Sequence, residues 1–169
     1  MINATQLREL VIRPTLQELD LHSIEAEHLL LMTAAHESNL GTYLKQIRGP
    51  ALGIYQMEPA THDDIWSNFI KYRKQVSTNL RMLGGIQDSP ALIYDLRYAT
   101  AMARIHYLRD PKPIPSMKEY EDFYEYVTAL AAYAKRVFNT YEGKATIKDY
   151  EQAFLSSFRT EAYKDWSSK

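Results

Sequence analysis

The sequence predicts a single all-α domain over residues 1–169, and three observations lead to this prediction. Apolar side chains recur at helical spacing in several segments, as at Leu92, Leu96 and Ala99. Helix-start signals precede these segments, and no segment alternates apolar and polar residues as a strand does. The length suits one domain, and no repeat or linker divides it. We expect at most a small hairpin near residues 41–57.

The N-terminal part of the chain contains two predicted helices. Leu7 and Val11 share one face of the first helix, which Pro14 is expected to interrupt because proline lacks an N–H donor. Ser23 is the predicted N-cap of a second helix, since serine side chains accept hydrogen bonds from free helix N–H groups. This second helix is expected to end at Gly41, a residue type that commonly follows a helix C-terminus.

Capping patterns also predict where the later helices begin. Thr61, Ser116 and Thr146 are each followed three positions later by an acidic residue, a spacing typical of a capping box. Ser89 precedes a proline, which favours a further helix start there. The three prolines between residues 111 and 115 predict a stiff connector before Ser116.

The composition excludes several classes of function. The net charge is −1, so we expect no basic field that would recruit nucleic acid or an anionic membrane. The chain has no cysteine, which excludes disulfides, thiolate metal sites and a cysteine nucleophile. The spacing of His28, His36 and His62 is not typical of a metal triad. We therefore expect neither a metal nor a cofactor.

Glu37 is the first candidate catalytic residue. It lies near the predicted end of the second helix, four residues before Gly41 and after the apolar stretch 29–35. An apolar surround and a helix C-terminus both disfavour a carboxylate, so we expect a raised pKa at Glu37. A carboxyl group that keeps its proton near neutral pH can act as a general acid in glycosidic cleavage. Ser38 and Asn39 supply short polar side chains at the same helix end.

A second motif follows at residues 53–61, which read Gly-Ile-Tyr-Gln-Met-Glu-Pro-Ala-Thr. Gly53 permits a close backbone approach, which would suit the wall of a substrate groove. Gln56 can both donate to and accept from sugar hydroxyl and acetamido groups. Tyr55 offers a flat aromatic face on which a sugar ring could stack. The two motifs together predict a glycan-binding groove beside Glu37.

These residues resemble the two N-terminal motifs of the soluble lytic transglycosylases, which are related to the goose-type lysozymes. That family shows Glu-Ser followed by Gly-Leu-Met-Gln-x-x-Pro-x-Thr, and the resemblance spans roughly residues 30–62. It implies a lysozyme-like helical fold and cleavage of the β-1,4 bond between N-acetylmuramic acid and N-acetylglucosamine in peptidoglycan. It also implies that Glu37 acts first as acid and then as base, that Gln56 and Tyr55 line the groove, and that the product carries a 1,6-anhydro ring.

A third family motif, Ala-Tyr-Asn-x-Gly, is not intact in this chain. Residues 131–134 keep the tyrosine, Tyr133, but lack the asparagine. Residues 138–143 keep an asparagine, Asn139, but replace the tyrosine. Tyrosines of this family motif help to position the catalytic glutamate, so Tyr133 is the better chemical analogue of the two.

The sequence also departs from the family pattern at Glu58, where an apolar residue is common. A second acid near Gln56 could hold a water, so one alternative is a lysozyme-type hydrolase in which Glu58 or Asp63 assists that water. Another alternative is a non-catalytic glycan-binding or virion structural protein of the same fold, because the third motif is broken. A helical DNA-binding protein is disfavoured by the net charge.

The expected partner is the glycan strand of peptidoglycan, with neither nucleic acid nor a membrane as a partner. The residues predicted to bind this substrate are Ser38, Tyr55, Gln56, Glu58, Tyr133 and Asn139. The first residues lack a charged start followed by an apolar run, so we expect no signal peptide. The apolar stretch at residues 29–35 is too short to span a bilayer. A wall substrate without a signal peptide indicates a phage-type lysin, made in a host cytoplasm or carried in a virion.

Overall fold

The computed structural model describes residues 1–139 and 144–169, and this part of the chain is mainly helical. The predicted all-α class is confirmed. In the two described ranges, no helix combines the length and the hydropathy needed to cross a membrane. The α-helices, in chain order, are α1 (Ala4–Leu7), α2 (Arg13–Glu18), α3 (Ile24–Ser38), α4 (Pro59–Asn68), α5 (Lys74–Met82), α6 (Ala91–Tyr94), α7 (Leu96–Leu108), α8 (Phe123–Phe138) and α9 (Ile147–Ser167). A π-helical turn (Arg8–Ile12) joins α1 to α2, and 3-10 turns span Ile70–Tyr72 and Met117–Glu119.

Helix α3 lies at the centre of the core. Its side chains from Ala26 to Ala35 are all buried, as expected for a helix surrounded by other helices. It packs against α9 most extensively, and also against α8 and α7. The Ser23 side chain accepts a 3.0 Å hydrogen bond from the Ala26 backbone N–H, which confirms the predicted N-cap.

The end of α3 differs slightly from the prediction. Ser38 is its last residue, and Asn39 takes the left-handed C-cap conformation at φ 49°. Leu40 and Gly41 continue with positive φ values of 51° and 78°. The chain therefore reverses over three residues and enters segment 41–57. The described part of that segment has isolated antiparallel bridges, Lys45 with Leu52 and Leu52 with Met57, in place of a regular hairpin.

Three predicted helix starts can be compared with the structure. The capping box at Thr146 is confirmed and opens α9. The predicted start at Thr61 is wrong, because α4 begins at Pro59, where the fixed φ of proline suits the first turn. The predicted long helix after Ser116 is also displaced. Ser116 opens only a 3-10 turn, and α8 starts at Phe123.

Pro14 does not end the first helical segment as predicted. The backbone stays helical from Ala4 to Glu18, with a π-helical turn at Arg8–Ile12 immediately before α2. The Arg13 N–H bonds to the Arg8 carbonyl, five residues earlier, which is the wider spacing of a π turn. Pro14 follows this turn and has no N–H, so it cannot donate the next helical hydrogen bond, and the wider π turn directly before it is where the helical spacing changes.

A buried ionic cluster ties this N-terminal segment to the core. The Glu27 side chain is fully buried, and it pairs with Arg8 and Arg13 from the segment before α3. His22 Nε2 lies 2.7 Å from the same carboxylate. Burial raises the pKa of Glu27, but hydrogen bonds from Arg13, His22 and Arg8 outweigh it and leave the pKa lowered. Glu27 is thus held as a carboxylate.

The same cluster extends to the C-terminal helix. Arg8 Nη2 lies 2.6 Å from Asp165 Oδ2 on α9. His28 Nε2 lies 3.0 Å from that oxygen, and His28 Nδ1 lies 3.0 Å from the Tyr126 hydroxyl on α8. The cluster therefore links both ends of the chain through α3.

Candidate active site

Glu37 lies in the last turn of α3, and its side chain is half-buried. The Tyr150 hydroxyl donates a hydrogen bond of 2.8 Å to Glu37 Oε1. Burial raises the pKa of Glu37, and the hydrogen bond from Tyr150 offsets only part of this rise. The C-terminal end of α3 adds a further unfavourable field for a carboxylate. Glu37 therefore keeps its proton to a higher pH than an ordinary glutamate does.

Tyr150 comes from the first turn of α9, and its side chain is fully buried. The His36 ring stacks on the Tyr150 ring with a centroid distance of 3.9 Å and an interplanar angle of 28°. Burial lowers the pKa of His36, and Asp149 opposes this only partly, so the imidazole is neutral at neutral pH. The ring that holds Tyr150 in place thus adds no positive charge beside Glu37.

An open groove of about 500 Å³ lies in front of Glu37. The end of α3, the segment between α3 and α4, and the C-terminal ends of α7 and α8 all contribute to its walls. Apolar side chains form part of the wall, namely Ala51, Met57, Val137 and Phe138. The hydrogen-bonding side chains along it are Glu37, Gln46, Gln56, Glu58, Thr61, His106 and Asn139. A polar groove of this kind suits a ligand rich in hydroxyl and amide groups.

Gln56 lies in the groove with Glu37, as the two sequence motifs predict. Its backbone has a positive φ of 46°, and its side-chain Nε2 donates a 2.7 Å bond to the Gly53 carbonyl. A weaker bond of 3.3 Å runs from the same nitrogen to the Tyr43 carbonyl. The amide nitrogen thus holds the turn, and the amide oxygen is the atom that can accept from a sugar hydroxyl.

Ser38 does not fit its predicted role as a substrate-binding residue, because it is only 1% exposed. Its hydroxyl donates a 2.6 Å bond to the Ile54 carbonyl and accepts a 2.8 Å bond from the Gly41 N–H. These bonds fix the second motif against the end of α3. Ser38 therefore holds the segment that carries Gln56 against the end of α3, which carries Glu37.

Gly53 allows a close backbone approach as predicted, but the neighbour is α6 and not a groove ligand. Its φ is +75°, and a Cβ built on it would lie 2.0 Å from the Leu92 carbonyl oxygen. A side chain cannot be accommodated against backbone at this distance. Glycine is thus required here to seat the turn that carries Gln56.

The buried position of Tyr55 contradicts the prediction that its ring stacks on a sugar. Its side chain is 1% exposed, and its hydroxyl lies 3.1 Å from Thr100 Oγ1 on α7. Burial raises the pKa of Tyr55. The ring belongs to the core because the turn at Gly53 directs residues 54 and 55 inward and leaves Gln56 at the groove.

Tyr133 likewise does not take the predicted role of positioning Glu37. It is 6% exposed, and its hydroxyl donates to the Lys112 carbonyl at 3.1 Å. Its ring stacks on Tyr107 with a centroid distance of 5.8 Å. Among residues 1–139 and 144–169, the tyrosine that bonds to Glu37 is Tyr150 on α9.

Asn139 is the C-cap of α8 and lines the groove beside Glu37. Burial and the neighbouring Glu37 raise the pKa of Tyr150, and the nearby Asn139 side chain lowers it only slightly by comparison. Asn139 and Glu37 therefore line the same groove, and Tyr150 bonds to Glu37. The rest of the alternative third motif, residues 140–143, lies outside the described residues.

The two acids considered for holding a water lie in different places. Glu58 is exposed at the start of α4 and lines the groove. Asp63 has a side chain that is 58% exposed, and its Oδ1 lies 2.8 Å from His62 Nδ1. Asp63 is not among the described residues of the groove wall. The geometry thus favours Glu58 over Asp63 for any role next to Glu37.

His106 is a groove residue that the sequence did not single out. Its Nε2 lies 3.2 Å from the Val137 carbonyl, which fixes the C-terminal end of α8 against α7. Burial lowers the pKa of His106 to about 4, so the ring is neutral at neutral pH. In residues 1–139 and 144–169, no group of three or more His, Asp and Glu side chains could hold a metal ion.

Tyr150 is the functional candidate that sequence reasoning missed. In the sequence it is one aromatic residue of the segment that follows the Thr146 capping pattern, 113 residues from Glu37. The Thr146 capping box fixes where α9 begins, but nothing in the sequence indicates which helix α9 packs against. The contact depends on the packing of α9 against α3, which is the most extensive in the described fold.

Comparison with known proteins assigns neither a family nor a function to this chain. The chain matches no protein-family model, and no curated protein or solved structure is significantly similar to it. The likeness to lytic transglycosylases therefore stays a prediction from two short motifs.

Proposed function

We propose that this chain cleaves the glycan strands of peptidoglycan as a muramidase of the lytic transglycosylase type. The observation that carries the proposal is Glu37, a half-buried carboxyl group with a raised pKa at the wall of a polar groove. Gln56 and Asn139 lie in the same groove, where their amides suit sugar hydroxyl and acetamido groups. The motifs around Glu37 and Gln56 support the same substrate class.

In the proposed mechanism Glu37 begins protonated. Tyr150 donates to Oε1, which leaves the carboxylic proton on Oε2. That proton passes to the glycosidic oxygen as the bond to the sugar carbon breaks. Glu37 is then a carboxylate and accepts the proton of the substrate's own 6-hydroxyl as that oxygen bonds to the same carbon. The product is a 1,6-anhydro sugar, and Glu37 returns to its starting protonation state.

A second candidate function is lysozyme-type hydrolysis, which the position of Glu58 in the groove favours. In this reaction a water held by Glu58 attacks the sugar carbon, and the product carries a reducing end. The transglycosylase reaction gives a 1,6-anhydro end and does not use Glu58, whereas hydrolysis gives a reducing end and requires Glu58.

Product analysis after digestion of purified peptidoglycan tests both functions. We expect muropeptides with 1,6-anhydro ends in mass spectrometry, at a rate that Glu58→Gln changes less than about threefold. Asp63→Asn is the matched control, since Asp63 is an acid outside the described groove wall. Reducing ends whose formation is lost in Glu58→Gln would establish the hydrolase instead. Wild-type protein that sediments with peptidoglycan but releases nothing would indicate a non-catalytic glycan-binding protein.

Tyr150→Phe tests the hydrogen bond that holds Glu37. Removing the hydroxyl removes an interaction that lowers the pKa of Glu37, so this pKa should rise further. The reaction needs protonated Glu37, and its alkaline limb should therefore move to higher pH. We expect kcat to fall about tenfold or more, because the carboxyl group loses its orientation. The pH profile of muropeptide release measures both effects.

Tyr133→Phe is the matched control for that variant. It removes a hydroxyl that bonds to the Lys112 carbonyl, and the pH profile should stay as in the wild type. A shift of the alkaline limb to lower pH in Tyr150→Phe would contradict the assigned role of the bond.

A further inference from the structure

The charge of this chain is unevenly distributed. Residues 65–87 contain no aspartate or glutamate, whereas the chain as a whole has a net charge of −1. Four cations lie within this stretch, at Lys71, Arg73, Lys74 and Arg81, and all four are exposed. We refer to the exposed side chains of residues 70–86 as the basic surface. It includes side chains of the 3-10 turn Ile70–Tyr72 and the solvent-facing side of α5.

Helix α5 presents one side to solvent and the other to the core. Leu80 is fully buried, and Asn79 Nδ2 donates a 2.9 Å bond to the Leu19 carbonyl at the end of α2. Lys74, Arg81 and Met82 are exposed and fall within about a third of the helix circumference at 100° per residue. Asn79 and Leu80 therefore hold α5 on the core, and its solvent-facing side carries both cationic and apolar side chains.

The basic surface also exposes large apolar side chains next to its cations. Met82 is 80% exposed, Tyr72 is 71% exposed and Ile86 is 63% exposed. Lys71 Nζ lies 5.6 Å from the centroid of the Tyr72 ring, and the Arg73 guanidinium lies 5.0 Å from that of Phe69. Exposed apolar side chains beside cations, with no acid in the segment, are typical of surfaces that bind lipid headgroups and the upper acyl region.

We propose that the basic surface docks this protein on a membrane rich in anionic lipid. The cations meet the headgroup phosphates, and Met82, Ile86 and Tyr72 insert at the level of the headgroups. A nucleic acid would use the cations but would gain little from exposed Met82 and Ile86, so the aliphatic side chains favour lipid. The net charge of the whole chain conceals this site because acidic residues elsewhere balance the cations. The inference does not depend on glycan cleavage.

Co-sedimentation with lipid vesicles tests the proposal with the full chain. We expect wild-type protein to sediment with phosphatidylglycerol vesicles and to stay in solution with phosphatidylcholine vesicles. In Lys71→Gln/Lys74→Gln, the partition coefficient should fall roughly 25-fold, about fivefold for each charge lost near the surface. The control Lys118→Gln/Lys148→Gln makes the same change in net charge at exposed positions elsewhere and should bind as the wild type.

The apolar part of the surface needs a separate variant. Met82→Gln/Ile86→Gln should weaken binding several-fold, whereas Leu10→Gln, at a side chain that is 69% exposed outside the surface, should not. Wild-type protein that fails to sediment with anionic vesicles would overturn the proposal, and so would an equal loss in the lysine controls. Binding to duplex DNA without binding to vesicles would assign the surface to nucleic acid and also overturn it.

Discussion

Glu37→Gln is expected to reduce muropeptide release by at least about 10³-fold while leaving the fold intact. Glutamine retains an oxygen that can accept the 2.8 Å hydrogen bond from Tyr150, so the local packing is preserved. Its amide cannot deliver a proton to the glycosidic oxygen, and it cannot later act as a base. Release of muropeptides from purified peptidoglycan measures the loss.

The same variant also tests the pKa of Glu37 without any substrate. The folded pKa of Glu37 is raised above its ordinary value of 4.5, so the native state binds more protons than the unfolded state. The contribution of this carboxyl group to stability is therefore full below pH 4.5 and is lost as pH rises through the folded pKa. Thermal unfolding should show wild type losing stability relative to Glu37→Gln across this window.

Glu58→Gln is the matched control for both readouts, since it makes the same chemical change at an exposed position in the same groove. Its unfolding midpoint at pH 7 should lie within about 2 °C of the wild type, as expected for a substitution at an exposed position. Muropeptide release that survives Glu37→Gln would refute the assignment of the acid. A stability difference that does not change between pH 4 and pH 8 would refute the raised pKa, even if activity is lost.

Glu27→Gln is expected to lower the free energy of unfolding by about 3–5 kcal/mol. The variant leaves Arg8 and Arg13 beside a neutral amide at a position where the wild-type side chain is fully buried. Removing one partner of a buried ion pair costs more than the pair contributes, because Arg8 stays buried and keeps only Asp165 as a carboxylate partner. Thermal unfolding should show a midpoint about 10 °C below that of the wild type.

The pH dependence of this effect has the opposite sign to that of Glu37. The folded pKa of Glu27 is lowered below 4.5, so its contribution is present above pH 4.5 and is lost as pH falls through the folded pKa. Glu9→Gln is the control, because Glu9 is an exposed acid beside Arg8 in sequence and should shift the midpoint by less than about 2 °C. Equal midpoints for Glu27→Gln and Glu9→Gln would show that the buried cluster contributes nothing specific.

Local sequence signals predicted the parts of the fold that depend on a few neighbouring residues. The Ser23 N-cap and the Thr146 capping box are confirmed because each needs only side-chain bonds to the next helical turn. The start predicted at Thr61 is wrong because Pro59 competes two residues earlier with a preset φ. Ser116 opens a 3-10 turn only, and Asp122 caps α8 six residues later.

The chain alone determined the helical class and placed Glu37 near Gln56, since the two motifs lie close together in sequence. Only the tertiary structure decided that Tyr150 bonds to Glu37, because this contact requires α9 to pack on α3. The Tyr55 and Tyr133 side chains are buried in the core. An aromatic residue with helical spacing has the same pattern whether it faces a groove or a neighbouring helix. The difference arises from contacts between residues far apart in sequence, and periodicity does not encode those contacts.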